Sequence, residues 1–117
     1  MKLLVFILNK TEKLEELLAE FMRIGISGST VLPSTGMARI LTNYSDEELP
    51  FLGSIRTLLY PERNKSNTIF TVLKEAQVCM AVRAVEKVVG DLSEKDTGII
   101  FTVPIDLIKG MEGDCQI

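Results

Sequence analysis

Twice along the chain, a short apolar run of β type is followed by an amphipathic helical stretch and then by a second β-type run. That repeated change of hydrophobic period restricts the fold more than any other feature of the sequence. The first run, Leu3 to Leu8, is continuously apolar, short and bounded by polar residues, as a buried strand should be. "NKTEKLEELLAEFMRIGISG" then turns helical. Leu14, Leu17, Leu18, Phe21 and Met22 fall at i, i+3, i+4, i+7 and i+8, which is one face. Asn9 with Glu12, or Thr11 alone, can cap the helix start, and Gly25 can end it in the left-handed conformation.

"GSTVLPSTGMARILT" carries β-branched residues interrupted by Pro33 and Gly36. Proline cannot donate to a ladder, so a bulge or bend is expected at Pro33, with the strand resuming over 36–42. The second half repeats the theme. Asn67 to Leu73 reads as a strand. The following stretch reads as a helix with Val78, Ala81, Val82, Val85, Val88 and Val89 on its apolar face and Gly90 as its stop. Valine is a mediocre helix former, so tertiary packing must hold this helix. Gly98 to Val103 is the last strand. The order β-α-β, insert, β-α-β predicts an α+β, ferredoxin-like βαββαβ fold. Its four-stranded antiparallel sheet would carry two helices on one face. No repeat of short fixed period is present.

A chain of 117 residues, 46% hydrophobic and 25% charged, favours a single domain with an ordinary core. A net charge of −3 without a Lys/Arg run argues against nucleic acid and anionic membranes. "KLLVFIL" is too short to span a membrane and is followed at once by polar residues, so a soluble cytoplasmic protein is expected. Histidine is absent. That removes Ser-His and Cys-His nucleophile systems and an imidazole metal site. There is no nucleophile with a base, no paired catalytic carboxylates and no cofactor fingerprint, so no catalytic residue and no enzyme are expected. Cys79 and Cys115 lack metal-site spacing, and Cys79 reads as a small buried thiol on a helix.

The longest connection holds "PFLGSIRTLLYPERNKSNTIF", which is unusually apolar for such a place. Leu52, Ile55, Leu58 and Leu59 keep helical spacing. Burial of each would contribute about 1.5–3 kcal/mol before ordering entropy. A short helix is expected there, packed on the sheet, on a neighbouring subunit or in a partner's groove. Asp46, Glu47 and Glu48 could bind a cation, but Ser45 and Glu48 fit a capping box better. Asp91, Glu94 and Asp96 read as solvated loop charges rather than a cation site. Arg39 is either a solvated strand residue or an anion partner at the base of the long connection.

The stretch from Met1 to Arg39 resembles the first half of the nitrogen-regulatory P-II signal-transduction proteins. The closest match is "GISGSTV" at 25–31 followed by "GMAR" at 36–39. The second half, from Asn67 to about Ile108, matches more loosely. The resemblance implies a homotrimer that binds adenine nucleotides between subunits and signals through a long loop, here the insert 43–66. It implies a second ligand loop at 90–98 and a C-terminal tail at 105–117. The ligand residues implied are Gly28, Thr30, Gly36, Met37, Ala38, Arg39, Gly90, Lys95, Gly98 and Lys109. Ile40 stands where the family has a glutamine that organises the nucleotide's metal, and Ile99 where it has a phosphate lysine. These departures weaken ATP or ADP as the ligand and leave its identity open. Backbone N–H groups near Gly98 could still form an anion nest. The partners expected are copies of the chain, a small-molecule effector, and a protein docked through 43–66. Two alternatives stand beside this reading. One is a metal-binding trimer of the divalent-cation-tolerance (CutA-like) type, which the lack of histidine and the scattered Met22, Met37, Met80 and Met111 disfavour. The other is a structural trimer that binds no ligand.

Overall fold

The computed structural model describes residues 1–37, 65–94 and 97–110. In chain order these form β1 (Lys2–Leu8), a 3-10 turn (Thr11–Lys13), α1 (Leu14–Arg23), β2 (Ser29–Ser34), β3 (Ser66–Leu73), α2 (Glu75–Val89) and β4 (Gly98–Pro104). The strands make a four-stranded sheet in the order β2-β3-β1-β4 with every neighbouring pair antiparallel. This α+β arrangement is compatible with the ferredoxin-like fold expected from the pattern. The apolar insert helix within 50–60 and the resumed strand over 38–42 lie outside the described residues. Gly36 and Met37, which are described, are not part of β2.

Strand alternation divides the sheet into two faces. Leu4, Phe6 and Leu8 of β1 and Ile69 and Leu73 of β3 point at the helices and are at most 2% exposed. They meet Leu17 and Phe21 of α1 and Ala81, Ala84, Val85, Val88 and Val89 of α2 in one core. Each large side chain buried there contributes about 1.5–3 kcal/mol against the conformational entropy of ordering the chain.

The opposite face is also apolar. Leu3, Val5 and Ile7 of β1 share it with Phe70 and Val72 of β3, Leu32 of β2, and Ile99, Phe101 and Val103 of β4. No described helix covers it; Val5 at its centre is buried, whereas Leu32, Ile99, Phe101 and Val103 are between 42% and 56% exposed. The uninterrupted apolar run of β1 is therefore apolar toward both sides of the sheet.

Four sequence expectations are corrected. Pro33 does not break its strand: β2 pairs with β3 without interruption from Ser29 opposite Thr71 to Ser34 opposite Ser66. As the sheet's edge strand, β2 tolerates the missing donor. A 3-10 turn feeds α1, and the residues in the cap positions are Lys10 and then Lys13, neither of which makes a side-chain cap hydrogen bond. Met22 is 63% exposed rather than on the buried face, because Leu17 and Phe21 define a narrower stripe than the spacing allowed. Cys79 is exposed, not buried. It sits two positions before Ala81, which places it about 200° around the helix from the buried stripe.

The helix stops follow the expected chemistry. Gly25 adopts φ +92°. The Ile26 N–H donates to Phe21 O at 2.8 Å and the Gly25 N–H to Met22 O at 3.1 Å, a Schellman closure with Ile26 and Phe21 both buried. In α2 the Lys74 N–H donates to Gln77 Oε1 at 2.8 Å, which satisfies one end group.

Candidate functional site

The residues implied as ligand-binding fall into separate places. Across the sheet, Pro33, Asn67, Leu8 and Gly98 lie in one register row. The end of β2 that leads to Gly36 and Met37 is thus level with the start of β4. However, the two lie at opposite edges, three strand steps or roughly 14 Å apart. Gly90 ends α2 and Gly98 opens β4, so the loop between them projects from that same end. Gly28 precedes Ser29, which pairs with Thr71, at the far end of β2. Lys109 follows β4, also at the far end, where the Ile105 N–H donates to Met1 O at 3.2 Å. Ala38, Arg39 and Lys95 lie outside the described residues, as does Ile40. One chain sets Gly90 and Gly98 at the two ends of one loop and Gly36 and Met37 at the opposite edge, holds Thr30 in the middle row with Phe70 and Val5, and leaves Gly28 and Lys109 toward the other end.

Several of these positions have a local structural role. Gly28 O accepts a 2.7 Å hydrogen bond from Thr71 Oγ1, which ties the start of β2 to the sheet. Gly98 has φ +149°, and a Cβ there would strike Ile7 O and come within 2.8 Å of the Phe6 ring. Only glycine lets β4 approach β1 so closely. Ile99, at the place of the family's phosphate lysine, is 56% exposed on the apolar sheet face opposite the helices. Its partner in register there is Ile7. An isoleucine suits that face as a lysine would not.

The Gly90–Gly98 loop has its own chemistry. The Asp91 carboxylate accepts hydrogen bonds from the Ser93 N–H at 2.9 Å and the Ser93 hydroxyl at 2.8 Å. The backbone N–H, with the hydroxyl behind it, holds the Asp91 carboxyl below its ordinary range. Asp91 thereby shapes the turn through Oδ1. Among the described residues no group of three His, Cys, Asp or Glu could hold a metal ion.

Two neighbours of this loop escaped the sequence reading. Lys10 Nζ donates to Val89 O at 3.0 Å, so a cation closes the negative end of α2. Only the fold reveals this contact, because the two residues are far apart in sequence. Thr97, just before β4, is 1% exposed, and its Oγ1 has no hydrogen-bond partner among the described residues. Its carbonyl accepts the Asn9 N–H at 3.3 Å. The sequence offers no signal for an orphan hydroxyl.

At the base of the long connection three hydroxyls converge. Ser34 Oγ and Ser66 Oγ are 2.8 Å apart, and Thr68 Oγ1 donates to Ser34 Oγ at 2.8 Å. Ser66 Oγ also lies 3.0 Å from Ser34 O. No family model matches the chain, and no curated protein matches it. Among the described residues, no helix is long and apolar enough to cross a membrane.

Proposed function

We propose that the chain is a P-II-like regulatory protein, a homotrimer that binds a small anionic effector between subunits and signals through 43–66. The observation that carries this reading is the split of the implied ligand residues. The Gly36–Met37 end and the Gly90–Gly98 loop leave the same end of the sheet at opposite edges. Within one chain these two groups stand about 14 Å apart with two strands between them. A neighbouring copy that sets its β2 edge beside this chain's β4 edge would close the gap. The exposed Ile99, Phe101 and Val103 of β4 support assembly, because apolar surface of this kind favours a partner, and identical partners give closed symmetric rings.

An adenine nucleotide is the first effector to test, and bicarbonate and 2-oxo acids follow. Light scattering should give about 39 kDa, three chains of 13.0 kDa. A thermal-shift series with ATP, ADP, bicarbonate and 2-oxo acids should raise the unfolding midpoint for one of them. A 13.0 kDa particle would overturn the assembly. A trimer that no effector stabilises would leave the second reading, a structural trimer. That reading is favoured by the backbone and packing roles that already account for Gly28 and Gly98.

A further inference from the structure

On the helix layer, opposite the open sheet face, α1 and α2 enclose a groove. Glu20, Arg23 and Ile24 line it from α1 and its end, and Met80, Arg83, Ala84 and Lys87 line it from α2. The spacings i, i+3, i+4 on one helix and i, i+3, i+4, i+7 on the other put each set on one stripe. The groove holds about 140 Å³, room for one aliphatic side chain.

Its charges are layered. The Glu20 carboxylate is the deep group, with its side chain 12% exposed. Arg23 Nε donates to it at 3.1 Å from its own helix, and Lys87 Nζ at 3.2 Å from the facing one. Both cations are 62% exposed and lie over the carboxylate. Arg83 is exposed and has no ion pair or hydrogen bond among the described residues. Solvent therefore meets three cations around an apolar floor of Ile24, Met80 and Ala84, with the one anion beneath them. The chain as a whole carries −3, so this is a local reversal of sign.

We infer that this groove is a docking site for an acidic, leucine-bearing peptide segment of a partner protein. The segment would seat one aliphatic side chain on Met80 and Ala84 and pair its carboxylates with Arg83 and Lys87. The arguments for this occupant are charge complementarity and the mixed lining. A planar guanidinium with no partner can take a carboxylate in a two-point bond. An exposed thioether adapts to varied aliphatic shapes. Three cations make a short footprint, too small for a duplex backbone, and the remaining net negative charge opposes polyanions. The inference does not depend on the proposed trimer, because the groove lies on the helix side of the sheet.

The test is fluorescence anisotropy of the intact chain with a labelled peptide of glutamate and leucine, leucine recurring every third or fourth position. Two control peptides replace glutamate by lysine or leucine by serine. The glutamate–leucine peptide should bind. Arg83→Glu and Lys87→Glu should each weaken it about tenfold or more, which is about 1.4 kcal/mol. Added salt should weaken it further. Phe101→Glu, on the opposite face, should leave it unchanged. Arg83→Ala, which adds no new charge, should show a smaller loss in the same direction. Circular dichroism should find all variants folded, since Arg83 and Lys87 are at the surface. Several results would overturn the inference. They are no binding at the peptide's solubility limit, equal binding by Arg83→Glu, equal binding of the serine peptide, or loss only with Phe101→Glu. The last would assign the peptide to the sheet face.

Discussion

Two threonines, Thr71 and Thr97, are both buried and differ in one respect. Thr71 Oγ1 donates to Gly28 O at 2.7 Å, whereas Thr97 Oγ1 has no partner among the described residues. A satisfied buried hydroxyl contributes about 1 kcal/mol, and an orphaned one costs about 1–3 kcal/mol. The same substitution should therefore have opposite signs. Thr71→Val should lower the urea midpoint, and Thr97→Val should leave it unchanged or raise it. Equal destabilisation by both would mean that Thr97 has a partner in solution. Glu20 gives a second test. Arg23 above all, helped by Lys87, lowers its pKa from 4.5 to about 2. The unfolded chain then binds its proton more readily. The stabilisation is fully present above about pH 4.5 and is lost as pH falls toward 2. Unfolding curves of wild type and Glu20→Gln should differ most above pH 4.5 and converge toward pH 2. A gap that stayed constant across that range would contradict the ion pairs.

At the scale of the element, the helices were legible because burial and period coincide. Leu17, Phe21, Ala81, Val85 and Val88 fall where a 3.6-residue repeat puts them, and Gly25 stops α1 by a left-handed turn. What sequence reasoning could not resolve was the width of each stripe. Met22 and Cys79 are apolar enough for a core, but the angle at which a helix meets its neighbour decides which flanking positions are covered. Pro33 misled for a related reason: its cost depends on whether its strand is central or at the edge, and that is a property of the sheet. Cys79 makes the point measurable. In a Cys115→Ser variant the native thiol should react with a disulfide reagent at a rate comparable to the unfolded chain's. Strong protection would place another surface over that side of α2.

For the whole molecule, the order of elements and a four-stranded antiparallel sheet with two helices could be read from alternating periods alone. The division of the candidate ligand residues between two edges could not. It arises from strand order, which joins residues remote in sequence and parts those that a motif sets side by side. If the apolar face mediates assembly, Phe101→Glu should convert the particle to monomers with an unchanged far-UV spectrum. An unaltered mass would put the subunit contact elsewhere. The hydroxyl clasp of Ser34, Ser66 and Thr68 has a further consequence. It fastens the last residue of β2 to the first residues of β3, so the chain leaves and re-enters the sheet through adjacent, bonded positions. Replacing residues 36–64 by a tight turn should keep the fold. By loop-closure entropy alone it should add about 1–2 kcal/mol of stability, readable as a higher melting temperature. The frame that β2 and β3 make can thus stay closed whatever sequence joins the two strands.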